Sequence, residues 1–216
     1  MSRANAGPTD RPFVGRCLLP NAPLYEMSFF QPADLSPPDT RDEDPRVGHL
    51  LSAPGPDDQP PAAVLLGMPV DDGVVRNGGR PGAADAPDRL REPLYSMTPD
   101  ARRDEFLSLL RRSQDLGNLR LNASLSARLA TLGTTLAPHL QRQSIPIILG
   151  GGHETAYGHF LGYVEAATDV AILNWDAHPD VRPLKDGQPH SGSSFRQALE
   201  HPSGHCRHYA VAGLQP

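Results

Sequence analysis

Cysteine is scarce in this sequence, and so are the features that direct a chain to membranes or nucleic acids. The two cysteines, Cys17 and Cys206, are far apart, which excludes a disulfide framework or a cysteine-rich zinc cluster and favours a reducing cytoplasm. The formal net charge is −5 and no block of lysine or arginine occurs, so neither nucleic acid nor an anionic membrane surface is an expected partner. The longest apolar runs, at 62–66 and 145–149, are too short to span a bilayer, and the polar N-terminus lacks the apolar stretch of a secretion signal.

Composition divides the chain into two regions. Residues 1–60 are rich in proline, aspartate, glycine and serine, so we predict that they wrap over a core or are partly disordered, above all at the very start. Residues 61–216 carry the compact apolar segments. A chain of 216 residues with 38% hydrophobic content suffices for one sizeable core. We therefore predict an N-terminal segment followed by one α/β domain.

Apolar patterning in the second region predicts alternating strands and helices. Strands are expected at 62–68, 145–149, 170–173 and 207–212, and those at 145–149 and 170–173 are expected to be buried. Helices are expected at 85–95, from Pro99 through an apolar face at 106–110, from Asn122 or Ser124 through a leucine repeat, and at 155–167. Residues 115–118 are either a break or a short strand. The alternation predicts a mainly parallel sheet, in which successive strands often lie side by side.

Three side chains of metal-ligand type occupy every second position after the strand at 170–173: Asp176, His178 and Asp180. Extended backbone would direct all three to one side, at the strand end where parallel sheets bind ligands. The alternative interpretation is an acidic loop with a chance histidine. His153 follows the preceding strand, and a histidine there is more often structural than a ligand. If the two strands are neighbours, however, it reaches the same edge of the sheet.

Two imidazoles and two carboxylates, without a thiolate, indicate manganese, iron or nickel, and zinc less exclusively. A carboxylate such as Asp176 can bridge two ions, and two ions roughly 3.5–4 Å apart can activate water near neutral pH. Four ligands are few for two octahedral ions. These residues therefore predict about half of a two-metal site.

Four segments resemble the signature segments of the ureohydrolases, the arginase and agmatinase superfamily. They are 77–83 (NGGRPGA), 150–154 (GGGHE), 174–183 (NWDAHPDVRP) and 191–197 (SGSSFRQ). The resemblance covers roughly residues 62–216. Within the superfamily it favours the formimidoylglutamase branch, because of the Asp-Val-Arg-Pro continuation, a Ser-Gly in place of His-Gly, the Phe-Arg-Gln that follows, and the terminal segment 211–216. It implies an arginase-like, three-layer α/β/α fold with a mainly parallel sheet and a binuclear manganese centre.

The resemblance also implies roles for individual residues. His153, Asp176, His178 and Asp180 would be metal ligands, with Asp176 bridging the ions. The implied reaction is hydrolysis of N-formimidoyl-L-glutamate to L-glutamate and formamide in histidine degradation. Asp180 would also help to protonate the leaving nitrogen.

Further implied roles concern the substrate. Arg182 can pair with a substrate carboxylate in a bidentate fashion, although a surface arginine is an equal alternative. Ser191 and Gly192 would line the substrate loop. His190 is a candidate proton shuttle, but it lies one position from the loop histidine of related enzymes.

One family feature is missing. The family supplies two more aspartates from a later Ser-x-Asp-x-Asp segment, and this sequence has no such segment. We therefore expect a C-terminally truncated chain that lacks the later strands, binds fewer than two tight manganese ions and has little activity. The alternatives are hydrolysis of another guanidino compound, as in agmatinase or arginase, and a non-catalytic remnant. A small molecule is the expected substrate, and homo-oligomerisation is left open.

Overall fold

The computed structural model describes residues 30–31, 38, 44–51, 59–100, 102–120 and 122–215. The prediction of disorder at the very start of the chain lies outside these residues. Of the N-terminal segment, the described part includes a short strand, β1 (Phe30–Gln31), and one helical turn, α1 (Val47–Leu50). Within the described ranges, no helix combines the length and apolar character needed to cross a membrane.

The larger sheet has four strands. After β1 come β2 (Ala63–Met68), β3 (Gln114–Leu119) and β4 (Ile145–Gly150), in the spatial order β1-β3-β2-β4. β2 pairs in parallel with both β3 and β4, and β1 pairs antiparallel with β3. The short-strand interpretation of residues 115–118 is therefore the right one.

Helices connect the strands. They are α2 (Asp72–Arg76), a 3₁₀ turn at Ala83–Asp85, α3 (Ala86–Ser96), α4 (Asp104–Arg111), α5 (Leu125–Gln141), α6 (Thr155–Glu165), a 3₁₀ turn at Ser191–Ser193, and α7 (Ser194–Leu199). Ser124 caps α5, as predicted, by accepting a hydrogen bond from Ala127 N at 3.3 Å. The helix predicted from Pro99 begins instead at Asp104, and none of its apolar residues is buried.

Helices cover both faces of the larger sheet around β2. Leu66 and Met68 pack in one core with the α5 leucines: Leu125, Leu129, Leu132 and Leu136. Gly67 points to the opposite face, because side chains alternate along a strand. A methyl group there would collide with Arg91 and Pro87 of α3. This layering, with its parallel strands, confirms the predicted α/β/α class with a mainly parallel sheet.

A polar network is buried where α3 packs on the sheet. Arg91 has no exposed surface, and its Nε and Nη2 each donate a hydrogen bond of 2.8 Å to the carboxylate of Asp115. Arg91 Nη1 donates to Asn118 Oδ1 at 2.7 Å, and Tyr95 donates its hydroxyl to Asp115 at 2.9 Å. The network ties α3 to β3 on the face opposite α5.

Successive strands do not all lie side by side: β2 separates β3 from β4, and the predicted neighbours β4 and β5 lie in different sheets. β5 (Val170–Trp175) pairs in parallel with β6 (Cys206–Ala212) and forms a separate two-stranded sheet. β4 pairs in parallel with β2 and does not pair with β5. The prediction that both strands are buried is also wrong, because alternate residues of β4 and β5 are exposed.

Candidate metal and substrate site

His153 is positioned by a glycine turn at the end of β4. Gly151 N donates to Met68 O at 2.9 Å, and Gly152 N donates to Val70 O at 2.6 Å. A side chain on Gly151 would collide with the Val70 backbone, so only glycine permits this approach. The turn is therefore held against the exit of β2, and His153 stands just before α6.

Glu154 anchors a second loop to the same turn. It is fully buried, and its Oε1 accepts a hydrogen bond from Gly73 N in α2 at 2.7 Å. Oε2 has no partner among the described residues, and burial raises the pKa of the carboxyl group. Side chains on Gly73 or Gly152 would collide with this carboxyl group. The contact fixes α2, and with it the start of the loop at 77–83.

Two aspartates follow β5. Asp176 Oδ1 accepts a hydrogen bond from His178 N at 2.9 Å, and this backbone hydrogen bond is the main cause that holds the pKa of Asp176 below its usual range. Asp180 is buried and adopts φ 44°, a left-handed conformation that costs roughly 1–2 kcal/mol for most residues and is more tolerable for aspartate. Phe195 N donates to Asp180 O at 3.2 Å, which ties this loop to α7.

The imidazole and the two carboxylates converge. His153 Nδ1 lies 2.5 Å from Asp180 Oδ2 and 3.5 Å from Asp176 Oδ2. One ligand atom from each of the three residues lies within 4.8 Å of the others. The donor set of nitrogen and carboxylate oxygen without sulfur fits manganese and similar ions. These three residues could hold a divalent metal ion.

His178 is not part of this convergence. Its side chain is 66% exposed, and its Nδ1 lies 3.5 Å from the other carboxylate oxygen of Asp176. The expectation that extended backbone directs Asp176, His178 and Asp180 to one side is wrong, because the chain turns after β5. Asn174 Nδ2 donates to His178 O at 3.1 Å across this turn. The turn breaks the alternation, so the His178 side chain lies beside Asp176 without converging on His153 and Asp180.

The predicted substrate residues lie together on a neighbouring loop. Arg182 N donates to Gly192 O at 2.9 Å, and a methyl group on Gly192 would lie 3.0 Å from Arg182 Nε. Arg182 Nη1 donates to Asn77 Oδ1 at 3.1 Å, while Asn77 Nδ2 donates to Ser191 Oγ at 3.0 Å. Asn77 thus links the side chains of Arg182 and Ser191 by hydrogen bonds. Asn77 belongs to the signature segment at 77–83, but the sequence alone indicates no role of its own for this residue.

The substrate loop also packs on the metal-ligand residues. Ser194 Oγ donates to His153 O at 2.9 Å, and the Phe195 ring meets the His153 ring edge to face with centroids 5.4 Å apart. His190 is buried: its Nδ1 accepts from Gly192 N at 3.2 Å, and its Nε2 lies 2.9 Å from Pro183 O. Both ring nitrogens are therefore engaged with the backbone, and a shuttle role would require one of these contacts to be exchanged for a substrate atom.

A cleft of about 530 Å³ opens beside the cluster. It is lined by the end of β4, the glycine turn, the first turns of α6, and Asp176. Thr155 Oγ1 and His159 Nε2 are buried there without a hydrogen-bond partner among the described residues. Burial lowers the pKa of His159, which favours the neutral imidazole. The cleft thus adjoins His153 and Asp176 of the cluster.

The chain resembles known proteins in sequence and in fold. Residues 61–216 match the arginase family. The chain is 42% identical over 164 residues to a formimidoylglutamase of Rhodococcus jostii, covering 72% of this chain and 48% of that one. It is 37% identical over 181 residues to a formimidoylglutamase of Nocardia farcinica, with 81% and 55% covered.

Solved structures of similar fold include a variant of Trypanosoma cruzi formiminoglutamase with Mn²⁺. The TM-score is 0.69 at 32% identity, covering 80% of this chain and 58% of that one. The chain spans about half the length of the curated relatives it matches.

Proposed function

Because the chain belongs to the arginase family, we propose that its site serves the manganese-dependent hydrolysis of N-formimidoyl-L-glutamate to L-glutamate and formamide in histidine degradation. The observation that carries this proposal is the convergence of His153, Asp176 and Asp180 beside a loop that positions Arg182. Relatives named formimidoylglutamase at 37–42% identity support the choice of substrate.

His153, Asp176 and Asp180 would hold manganese, and His178 would join them after a change of rotamer. A bound manganese ion is a Lewis acid, and here it would activate water for attack on the formimino carbon. Three converging ligands suit one ion better than two, since manganese in oxygen and nitrogen sites is commonly octahedral. We therefore propose that this chain alone holds one ion or fewer with high affinity.

Arg182 would bind a carboxylate of the substrate. Its guanidinium group can donate two parallel hydrogen bonds to a carboxylate, a geometry that lysine does not reproduce. Asn77 restricts the group by accepting from Nη1, and Gly192 leaves room for it. Ser191, oriented by Asn77, would line the same loop.

Asp180 would move a proton as well as hold the metal. Its Oδ2 lies 2.5 Å from His153 Nδ1, and the residue is buried at the junction of the two loops. A carboxyl group at this position can donate a proton to the leaving nitrogen when the carbon–nitrogen bond breaks. His190 stays a candidate shuttle whose ring nitrogens are engaged in this conformation.

Metal binding tests the ligand assignment without relying on activity. Equilibrium dialysis with Mn²⁺ should give one tight ion or fewer per chain, and Asp180→Asn should weaken binding by roughly 10- to 100-fold or more. Asp186→Asn is the matched control, because Asp186 also has a positive φ, of 51°, but lies outside the cluster. Two tight ions together with substantial turnover would contradict an incomplete site.

Product analysis tests the substrate. Any turnover of N-formimidoyl-L-glutamate should release formamide and L-glutamate, whereas urea released from agmatine, arginine or guanidinobutyrate would reject the assignment. Arg182→Met and Arg182→Lys should both weaken L-glutamate binding measured by NMR titration. Arg196→Met should leave it unchanged, since Arg196 pairs with Glu200 on α7. Equal binding by all variants would exclude Arg182 from the carboxylate site.

A further inference from the structure

A tyrosine of β6 holds the turn that carries the two aspartates. Tyr209 is paired with Ile172 of β5, and its hydroxyl donates a hydrogen bond to Pro179 O at 2.5 Å. The same hydroxyl accepts a hydrogen bond from Asn174 Nδ2 at 3.3 Å, and this amide group also donates to His178 O. The side chains of Tyr209 and Asn174 thus hold two consecutive carbonyl groups of the turn.

These contacts restrict the conformation of Asp180. The carbonyl of Pro179 belongs to the peptide group that precedes Asp180, and the carbonyl of Asp180 belongs to the peptide group that follows it. Tyr209 holds the first carbonyl, and the amide of Phe195 holds the second at 3.2 Å. Because φ and ψ describe the rotations between these two planar groups, the two donors together retain the φ of 44°. This left-handed conformation persists only where its surroundings impose it.

The ring of Tyr209 connects this turn to the other part of the cluster. It stacks on the Phe195 ring, with centroids 4.8 Å apart and an interplanar angle of 29°. Phe195 in turn meets the His153 ring edge to face. The hydroxyl of Tyr209 therefore acts on the aspartate turn, while its ring acts on His153 through Phe195. Tyr209 itself is not one of the three converging residues.

We propose that Tyr209 is a positioning residue of the site, whose hydroxyl holds the peptide between Pro179 and Asp180 so that the Asp180 carboxylate stays beside His153 and Asp176. Groups that orient metal ligands without binding the ion raise its affinity in the same way. Sequence alone does not indicate this role, because Tyr209 lies within a strand, 30 positions from Pro179. The effect on Mn²⁺ affinity rests on the proposed function, whereas the positioning of the turn does not.

Hydrogen exchange of the metal-free chain, followed by NMR, measures the positioning directly. Tyr209→Phe removes the hydroxyl and keeps the stacked ring. The amides of His178 and Phe195 donate to Asp176 and Asp180, and they should exchange about 2- to 10-fold faster, as expected for the loss of one hydrogen bond. The matched control is Tyr95→Phe, which removes a hydroxyl that donates to Asp115 at 2.9 Å, outside the cluster. It should change the exchange of both amides by less than about 1.5-fold.

Equilibrium dialysis with Mn²⁺ measures the consequence for the ligands. Tyr209→Phe should bind the ion about tenfold more weakly than the unsubstituted chain, at the lower end of the loss for groups that orient metal ligands. Tyr209→Leu should bind it more weakly still, because the ring contact with Phe195 is lost as well. Tyr95→Phe should change the affinity by less than about twofold. Circular dichroism of each variant verifies that the fold is kept.

Unchanged exchange of both amides in Tyr209→Phe would overturn the proposal. Equal effects of Tyr209→Phe and Tyr95→Phe would also overturn it, because they would show a general loss of stability. Faster exchange with an unchanged Mn²⁺ affinity would overturn the assignment of Tyr209 to the metal site. Faster exchange in Tyr209→Phe, when the unsubstituted chain binds no Mn²⁺, would count against the proposed function and leave the positioning of the turn intact.

Discussion

The buried ion pair between Arg91 and Asp115 should be the most sensitive polar contact in the fold. We expect Asp115→Ala to lower the free energy of unfolding by about 3–5 kcal/mol, the typical cost of leaving one member of a buried pair alone. The Arg91 side chain has no exposed surface, and that of Asp115 is 5% exposed. Arg91 would keep Asn118, the carbonyl of Gly117 and the more distant Asp88, which do not replace a bidentate carboxylate.

A second variant separates the ion pair from simple loss of packing. The double variant Arg91→Met/Asp115→Ala should cost less than the sum of its single variants, because neither charge is left buried alone. The matched surface control is Glu92→Ala, which removes an exposed pair with Arg89 at 3.4 Å and should change stability by less than about 1 kcal/mol.

Urea unfolding followed by far-UV circular dichroism measures these differences, provided that the slope with denaturant stays constant across the variants. The reasoning would be refuted if Asp115→Ala cost no more than Glu92→Ala. It would also be refuted if the double variant cost the full sum of the two single variants.

Two further predictions concern α5. Burial, and to a smaller extent the charge of Arg142, lowers the pKa of His139 below 6.5. The unfolded chain therefore binds a proton more readily than the folded chain. The folded state is fully stable in this respect above about pH 6.5, and its free energy of unfolding declines as the pH falls below that value. His139→Gln should flatten that decline in urea midpoints between about pH 7.5 and 5.5, and an unchanged slope would count against it. Gly133→Ala would place a methyl group 2.7 Å from Leu161 Cβ on α6. Although alanine favours helix more than glycine does, we expect the free energy of unfolding to fall by about 1–2 kcal/mol and the Tm to fall with it. A higher Tm would disprove the close packing of α5 against α6 at this position.

The features that the sequence predicted correctly are those that depend on local chemistry. The strand at 63–68, the capped helix from Ser124 and the glycine turn before His153 each depend on residues close in sequence. An apolar run, a helix cap and a turn that requires glycine each depend on only a few neighbouring residues. They can therefore be recognised in a single sequence. The same holds for the signature segments that indicated the family. The start of α4 was misplaced because Pro99 permits a helix start but does not require one.

The sequence by itself determined the α/β class and the segments that carry the candidate ligands. Only the tertiary structure decided that β4 and β5 belong to different sheets and that His153, and not His178, converges with Asp176 and Asp180. It also joined Arg182 to Asn77, residues 105 positions apart. The physical reason is that strand pairing and side-chain direction after a turn depend on contacts between distant segments, which no local period encodes.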